Sequence, residues 1–300
     1  MSRSRPRGPT AATLRAVRRI CFYHAGCPDG FGAAWAVWKA WGSEAEYRPR
    51  GHDDALRPQD LAGSEVVFAD IAPPNASLRQ LGGKAARVVV LDHHVSALER
   101  FEAEPDLAAA LAAQGHLIRF DLSRSGATLA WHHFHPDVPI PPLLTYVEDQ
   151  DLWRWQLADS QAVNAAIHSH PRRFEVWDDL AKTPIERLAA EGAPIERAQR
   201  IEVERALQNA HPVTLGGLRV EAVNALFLRS LIGHELASRR ACGAPCGLVY
   251  RLIGRRVDCS LYSIGDFDVA KLAVRYGGGG HRNAAGFHVS LADWLDRFVA

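Results

Sequence analysis

The chain has 300 residues, 47% of them hydrophobic and 23% charged, with 35 basic and 34 acidic side chains and a formal charge of +1. This composition excludes a disordered chain, a collagen and a small disulfide scaffold, and the balanced charge lacks the basic surplus of a protein that grips long duplexes by their phosphates. Five cysteines in ordinary contexts, at 21, 27, 242, 246 and 259, point to free thiols and a reducing, cytoplasmic setting. No apolar run reaches bilayer-spanning length, so no membrane partner is expected.

Residues 1–19 hold six arginines and no acid and read as a basic, disordered N-terminal extension. Ile20 to His24 is a short apolar run that stops at the turn-forming Ala25-Gly26-Cys27-Pro28-Asp29-Gly30, and Phe31 to Trp41 then has helical spacing. The pattern recurs: Val66 to Ala69 ends at Asp70 and precedes a helical Ala76 to Leu81, and Arg87 to Leu91 ends at Asp92. Buried β-branched runs alternating with helices predict an α/β fold with a mostly parallel sheet and helices on both faces. Leu117 to Phe120 reads as a further strand, and Ser125 caps a helix running to about Phe134. Tyr146 to Asp149 is read as a strand and its end, with Asp151 capping the segment that carries Trp153 and Trp155.

Pro194 fits the first turn of a charged helix running to Asn209, expected to link two domains. Strands are then expected over 213–225, 246–251 and 257–263, with helices over 230–240 and 268–276. The predicted organisation is an N-terminal domain over 20–193, a linker helix over 194–209 and a smaller α/β domain over 210–300.

In parallel sheets, ligands gather at the carboxyl ends of the strands. His24, Asp29, Asp70, Asp92, His93 and His94 all fall there, and such a concentration of carboxylates and imidazoles repels itself unless a cation compensates. Oxygen and nitrogen donors with little thiolate favour Mn²⁺ or Mg²⁺, with Co²⁺ and other borderline ions as alternatives. The run Gly277 to Gly280 lets backbone N–H groups form an anion-binding concavity, with His281 and Arg282 adding donors. Asn283 is equally suited to holding the turn.

Val90-Leu91-Asp92-His93-His94, preceded by His24, Asp29 and Asp70 and followed by Asp149, resembles the ordered motifs of the DHH phosphoesterase superfamily. Gly277-Gly278-Gly279-Gly280-His281-Arg282-Asn283-Ala284-Ala285-Gly286-Phe287 resembles the glycine-rich motif of the associated C-terminal domain. The resemblance runs from about residue 20 to nearly the end. It implies that His24 and Asp70 hold one metal, that Asp29, Asp70, His93 and Asp149 hold a second, and that His94 meets the substrate phosphate. Asp92 would orient His93 through its other ring nitrogen. Gly278, Gly279, Gly280, His281 and Arg282 would bind substrate, and water activated by one or two Mn²⁺ ions would be the nucleophile.

One departure stands out. Many members have Asp-x-Asp where this chain has Cys27-Pro28-Asp29. Cys27 either ligates as a thiolate, which favours a softer ion, or serves as a small loop residue, which leaves the first metal weakly held. The implied activity is a metal-dependent phosphodiesterase acting on short oligonucleotides or related small nucleotides and releasing 5'-mononucleotides. The alternatives are a RecJ-like single-strand exonuclease and a catalytically weakened nucleotide-binding protein. Oligomeric state is left open, a homodimer included.

Overall fold

In a computed structural model, residues 17–52 and 54–299 are described. The basic segment 1–16, expected to be disordered, lies outside the described residues, and Arg19 already opens the first strand. The N-terminal part runs β1 (Arg19–His24), α1 (Pro28–Trp41), β2 (Glu46–Arg50), β3 (Glu65–Ala69), α2 (Asn75–Gly82), β4 (Arg87–Asp92), α3 (Val95–Glu102), α4 (Pro105–Ala113) and β5 (Leu117–Phe120). Helices α5 (Gly126–Phe134), α6 (Pro142–Asp151), α7 (Ser160–Ser169), α8 (Phe174–Leu180) and α9 (Ile185–Leu207) follow.

All pairings in the first sheet are parallel, in the order β2-β1-β3-β4-β5. Alternate strand residues enter two cores. Ile20, Phe22, Val66, Phe68, Val88 and Val90 pack toward one face, while Cys21, Val67, Ala69, Val89 and Leu91 meet Phe31, Trp35 and Leu129 on the other. Burial on both faces is why these strands read as unbroken apolar runs. The chain steps from β1 to β2 and then returns to the opposite side of β1, so the order reverses between β1 and β3. The crevice this opens at their carboxyl ends is the favoured ligand position of such a sheet.

The second sheet contains β6 (His211–Leu215), β7 (Leu218–Asn224), β8 (Cys246–Ile253), β9 (Arg256–Ser263), β10 (Gly279–His281) and β11 (Ala284–Ser290), in the order β10-β11-β9-β8-β7-β6. It is antiparallel except where β7 meets β8. Helices α10 (Arg229–Arg239), α11 (Val269–Val274) and α12 (Leu291–Arg297) accompany it. The strand expected over 213–225 is two strands, folded back at Gly216 and Gly217 with φ of 56° and 86°, a left-handed pair that glycine adopts without strain.

Two expectations are corrected here. The linker helix begins at Ile185, not at Pro194, which lies inside it. Packing outweighs the proline: Leu188 belongs to the N-terminal core, and Gly192 lies so close to α7 that a Cβ there would sit 1.7 Å from the Ala162 oxygen, while Val203 packs with Val223 and Val249 of the second sheet. Tyr146 to Asp149 is helical, part of α6, and not a strand. Among the described residues, no helix is long and apolar enough to cross a membrane, and the five cysteines are free.

Candidate metal centre

The crevice collects the predicted residues from separate elements. His24 ends β1, Asp29 lies in the first turn of α1, Asp70 follows β3, and Asp92 ends β4 with His93 and His94 behind it. Asp29, Asp70, Asp92, His93 and His94 are all buried. Asp70 adopts a left-handed φ of 61°, held by its N–H donating to the Leu91 carbonyl at 2.8 Å. A non-glycine residue in that conformation is strained, and here it turns the carboxylate into the crevice.

Asp70 joins two groups of donors. Its Oδ2 lies 3.4 Å from His24 Nδ1 and 3.6 Å from Cys27 Sγ, and its Oδ1 lies 3.0 Å from His93 Nε2. The ligating atoms of His24, Cys27 and Asp70 lie within 4.8 Å of one another, as do those of Asp29, His93 and Asp151. His93 Nε2 is thus surrounded by three carboxylates, being also 3.4 Å from Asp29 and 3.5 Å from Asp151. Asp29 is positioned by Gly126 and Ala127, whose N–H groups at the start of α5 donate to it at 2.7 and 2.9 Å.

Burial and the neighbouring Asp70 and Asp151 charges push the Asp29 carboxyl well above the usual carboxylate range, and burial likewise raises Asp151. Burial also acts to raise Asp70, but hydrogen bonds from His24 and His93 outweigh it and hold that group well below its ordinary value. Burial opposes charging of His93, yet the surrounding carboxylates, Asp70 foremost, lift it to about 10. Without an ion, the imidazolium of His93 therefore stands where compensating positive charge is needed. Asp70 Oδ1 and Asp151 Oδ2 are nevertheless buried and crowd the one His93 ring nitrogen, at 3.0 and 3.5 Å, a costly arrangement that a divalent cation would relieve. The donor set and these crowded, buried carboxylate oxygens fit a metal centre.

The acidic residue of α6 in this cluster is Asp151, not the expected Asp149. In a strand the two would share a face, but α6 is helical and residues two apart point about 200° away from each other. Asp149 turns into the structure, where its carboxylate accepts N–H bonds from Gln156 at 2.9 Å and Leu157 at 3.3 Å. The expected partnership of Asp92 with His93 is also corrected. Asp92 Oδ1 lies 2.7 Å from His94 Nδ1 and accepts the backbone N–H groups of His93 and His94, whereas His93 Nδ1 is buried without a partner. Cys27 caps α1, its sulfur accepting the Gly30 N–H at 3.2 Å.

The glycine-rich segment closes over the centre. The Gly280 N–H donates to Ser96 Oγ at 3.1 Å, and the His281 ring stacks on His94 at 4.2 Å and lies 4.5 Å from that of His93. Gly278 passes so near β11 that a Cβ would fall 2.0 Å from the Gly286 oxygen. Gly279 and Arg282 also line the cleft, although the Arg282 guanidinium pairs with Asp266 at its exposed edge. Asn283 holds the turn through the Ser263 hydroxyl and the Gly265 carbonyl. The cavity between the two sheets measures 1080 Å³, with the Asp70 and His93 cluster at one wall and Ser260, Tyr262 and the glycine segment at the other.

Sequence reasoning did not single out His52, Ser96 or the pairing of Trp153 with His234. His52 follows β2, whose sequence Glu46-Tyr47-Arg48-Pro49-Arg50 is too polar to read as a strand because it lies at the sheet edge. Trp153 lines the cleft and stacks on His234 with ring centroids 3.6 Å apart.

No family model matches the chain. It is similar to an uncharacterised protein of Acanthamoeba polyphaga mimivirus, 26% identical over 292 residues, covering 90% of this chain and 67% of that one. Among solved structures, the DHH domain of a member of the s1p family of ribosomal proteins matches with a TM-score of 0.56 at 14% identity, covering 93% of this chain and 84% of that one. A pGpG-specific phosphodiesterase from Vibrio cholerae matches with a TM-score of 0.46 at 12% identity, covering 92% and 94%. The chain has the fold of a DHH-domain protein.

Proposed function

We propose that this protein is a divalent-metal-dependent phosphodiesterase of the DHH phosphoesterase superfamily, acting on short oligonucleotides or small nucleotides. The observation that carries the reading is Asp70 standing between two donor groups, with its Oδ1 and Asp151 Oδ2 buried and converging on the single His93 ring nitrogen. His24 and Asp70, with Cys27 beside them, would hold one ion, and Asp70, Asp29, His93 and Asp151 the other. Manganese, or cobalt in its place, would supply Lewis-acid polarisation of the phosphate and ionisation of water near neutral pH.

The protein's own groups supply orientation. Asp92 fixes the tautomer and angle of His94, whose Nδ1 is thereby committed and whose Nε2 is left for a phosphate oxygen. The N–H groups of Gly278 and Gly280 are bound by the Ala273 carbonyl and Ser96 Oγ, so the wall across the cleft would hold a second phosphate through side chains such as His281 and Arg282, and binding away from the scissile bond would position it for in-line attack. The two walls already touch, at Ser96 with Gly280 and at Trp153 with His234. A cleft fastened at both places suits a substrate of a few nucleotides better than a long strand.

The test is product release from a length series of labelled RNA and DNA, two nucleotides upward, with Mn²⁺ or chelator. Manganese-dependent release of 5'-mononucleotides, fastest on the shortest substrates, supports the reading. Tight nucleotide binding with no turnover under any divalent ion would replace it with a binding role.

A further inference from the structure

The two donor groups differ in chemistry. One gathers three carboxylates around His93, whereas the other has a single carboxylate, Asp70, beside His24 and Cys27. The Cys27 sulfur is already engaged as the cap of α1. On the open side of His24 stands His52, its ring 4.9 Å from that of His24 and 5.3 Å from that of His94. One nitrogen from each of His24, His52 and His94 falls within 4.8 Å of the other two. Two nitrogens bound to one ion at 2.0–2.1 Å can be at most about 4.2 Å apart, so His24 and His52 need only a small shift to share an ion, while His94, held by Asp92, stays with the phosphate.

The backbone holds His52 there. Ala25, next to His24, donates its N–H to the Arg50 carbonyl at 2.9 Å, and the Gly51 N–H is bound by Asp54 Oδ2 at 2.6 Å. The end of β2 is thereby fastened to the end of β1, its parallel neighbour. The His52 ring is exposed and lines the cleft.

We propose that His52 is a ligand of the ion shared by His24 and Asp70, filling the place that a carboxylate at position 27 would take. A site of two imidazoles, one carboxylate and a nearby thiol prefers borderline ions such as Co²⁺ or Zn²⁺ to Mg²⁺, while the carboxylate-rich group suits Mn²⁺ or Mg²⁺. The two ions are therefore unlike in selectivity. This inference rests on the metal-dependent reading above.

The experiment is equilibrium dialysis of the full chain against Co²⁺ alone, read by elemental analysis and the visible cobalt spectrum, for wild type, His52→Ala and Cys27→Asp/His52→Ala. The expected result is two ions in the wild type. In His52→Ala one ion is weakened at least roughly tenfold, the lower end of what even outer-sphere changes cost, while the other is kept. Restoration of the second ion by Cys27→Asp separates ligation from a structural role, since Asp caps a helix as well as Cys. Unchanged stoichiometry, affinity and spectrum in His52→Ala, or a wild type that binds one ion, overturns the assignment and leaves the phosphodiesterase reading standing. A wild type that binds no ion sinks both.

Discussion

Asp149 and Asp151 are two residues apart and do opposite work, so exchanging their carboxylates for neutral groups separates scaffold from site. Asp149→Ala removes the acceptor of the Gln156 and Leu157 N–H groups at 2.9 and 3.3 Å and leaves both donors without it. Hydrogen bonds to a charged group are worth about 1.5–3 kcal/mol each, and with the second bond long the expected loss is about 2–4 kcal/mol. For a chain of this size that lowers the melting temperature by roughly 5–10 °C. Asp151→Asn removes a buried negative charge that is held against the Asp29 and Asp70 charges and has His93 as its 3.5 Å neighbour. In chelator its melting temperature should equal or exceed that of the wild type. Thermal melts in chelator and then along a manganese titration read both effects. Asp149→Ala should start lower but gain stability from manganese as the wild type does, whereas Asp151→Asn should lose most of that gain. The reverse pattern, with manganese stabilisation abolished by Asp149→Ala and kept by Asp151→Asn, would refute the assignment.

Asp92→Asn should leave the fold intact but release His94 from its fixed tautomer, lowering kcat on a small phosphodiester by about 10²–10³-fold with bound metal unchanged, comparable to other losses of an orienting partner. Gly278→Ala forces a Cβ to 2.0 Å from the Gly286 oxygen, so faster proteolysis within residues 274–290 is expected. The pH dependence of the chelated protein is also fixed in sign. His93 titrates near 6.5 when unfolded and at about 10 when folded, so its stabilisation is complete below about pH 6.5 and is lost as pH rises toward 10. Asp70 and Asp92, shifted the other way, are ionised in both states over that interval and add no slope. Denaturant midpoints in chelator should therefore fall from pH 6.5 to 9, and manganese, which competes with the protons, should flatten or reverse the trend.

The strands buried on both faces were legible because nothing but apolar side chains fits between two layers of helices, and their ends located His24, Asp70 and Asp92. Edge elements were not. β2 has one neighbour and a half-exposed face, so Arg48 and Pro49 are tolerated there, and His52 behind them carried no periodic signal. The confusion of Asp149 with Asp151 arose from treating Tyr146 to Asp149 as extended, because period 2 and period 3.6 assign opposite faces to the same pair. The Asp92 pairing was unreadable for a different reason. Either neighbouring histidine could take it, and only the turn after β4 decides that His94 does. The contacts of Ser96 with Gly280, and of Trp153 with His234, join residues far apart in the chain and leave no local trace.

The most direct test of the metal-centred account is the rate of bis-p-nitrophenyl phosphate hydrolysis against manganese concentration for the wild type and Asp70→Asn, the substitution that keeps shape while removing the charge shared by both donor groups. The account predicts saturable, chelator-sensitive turnover in the wild type and none above background in Asp70→Asn. Equal turnover in both, or turnover indifferent to manganese and chelator, would contradict it.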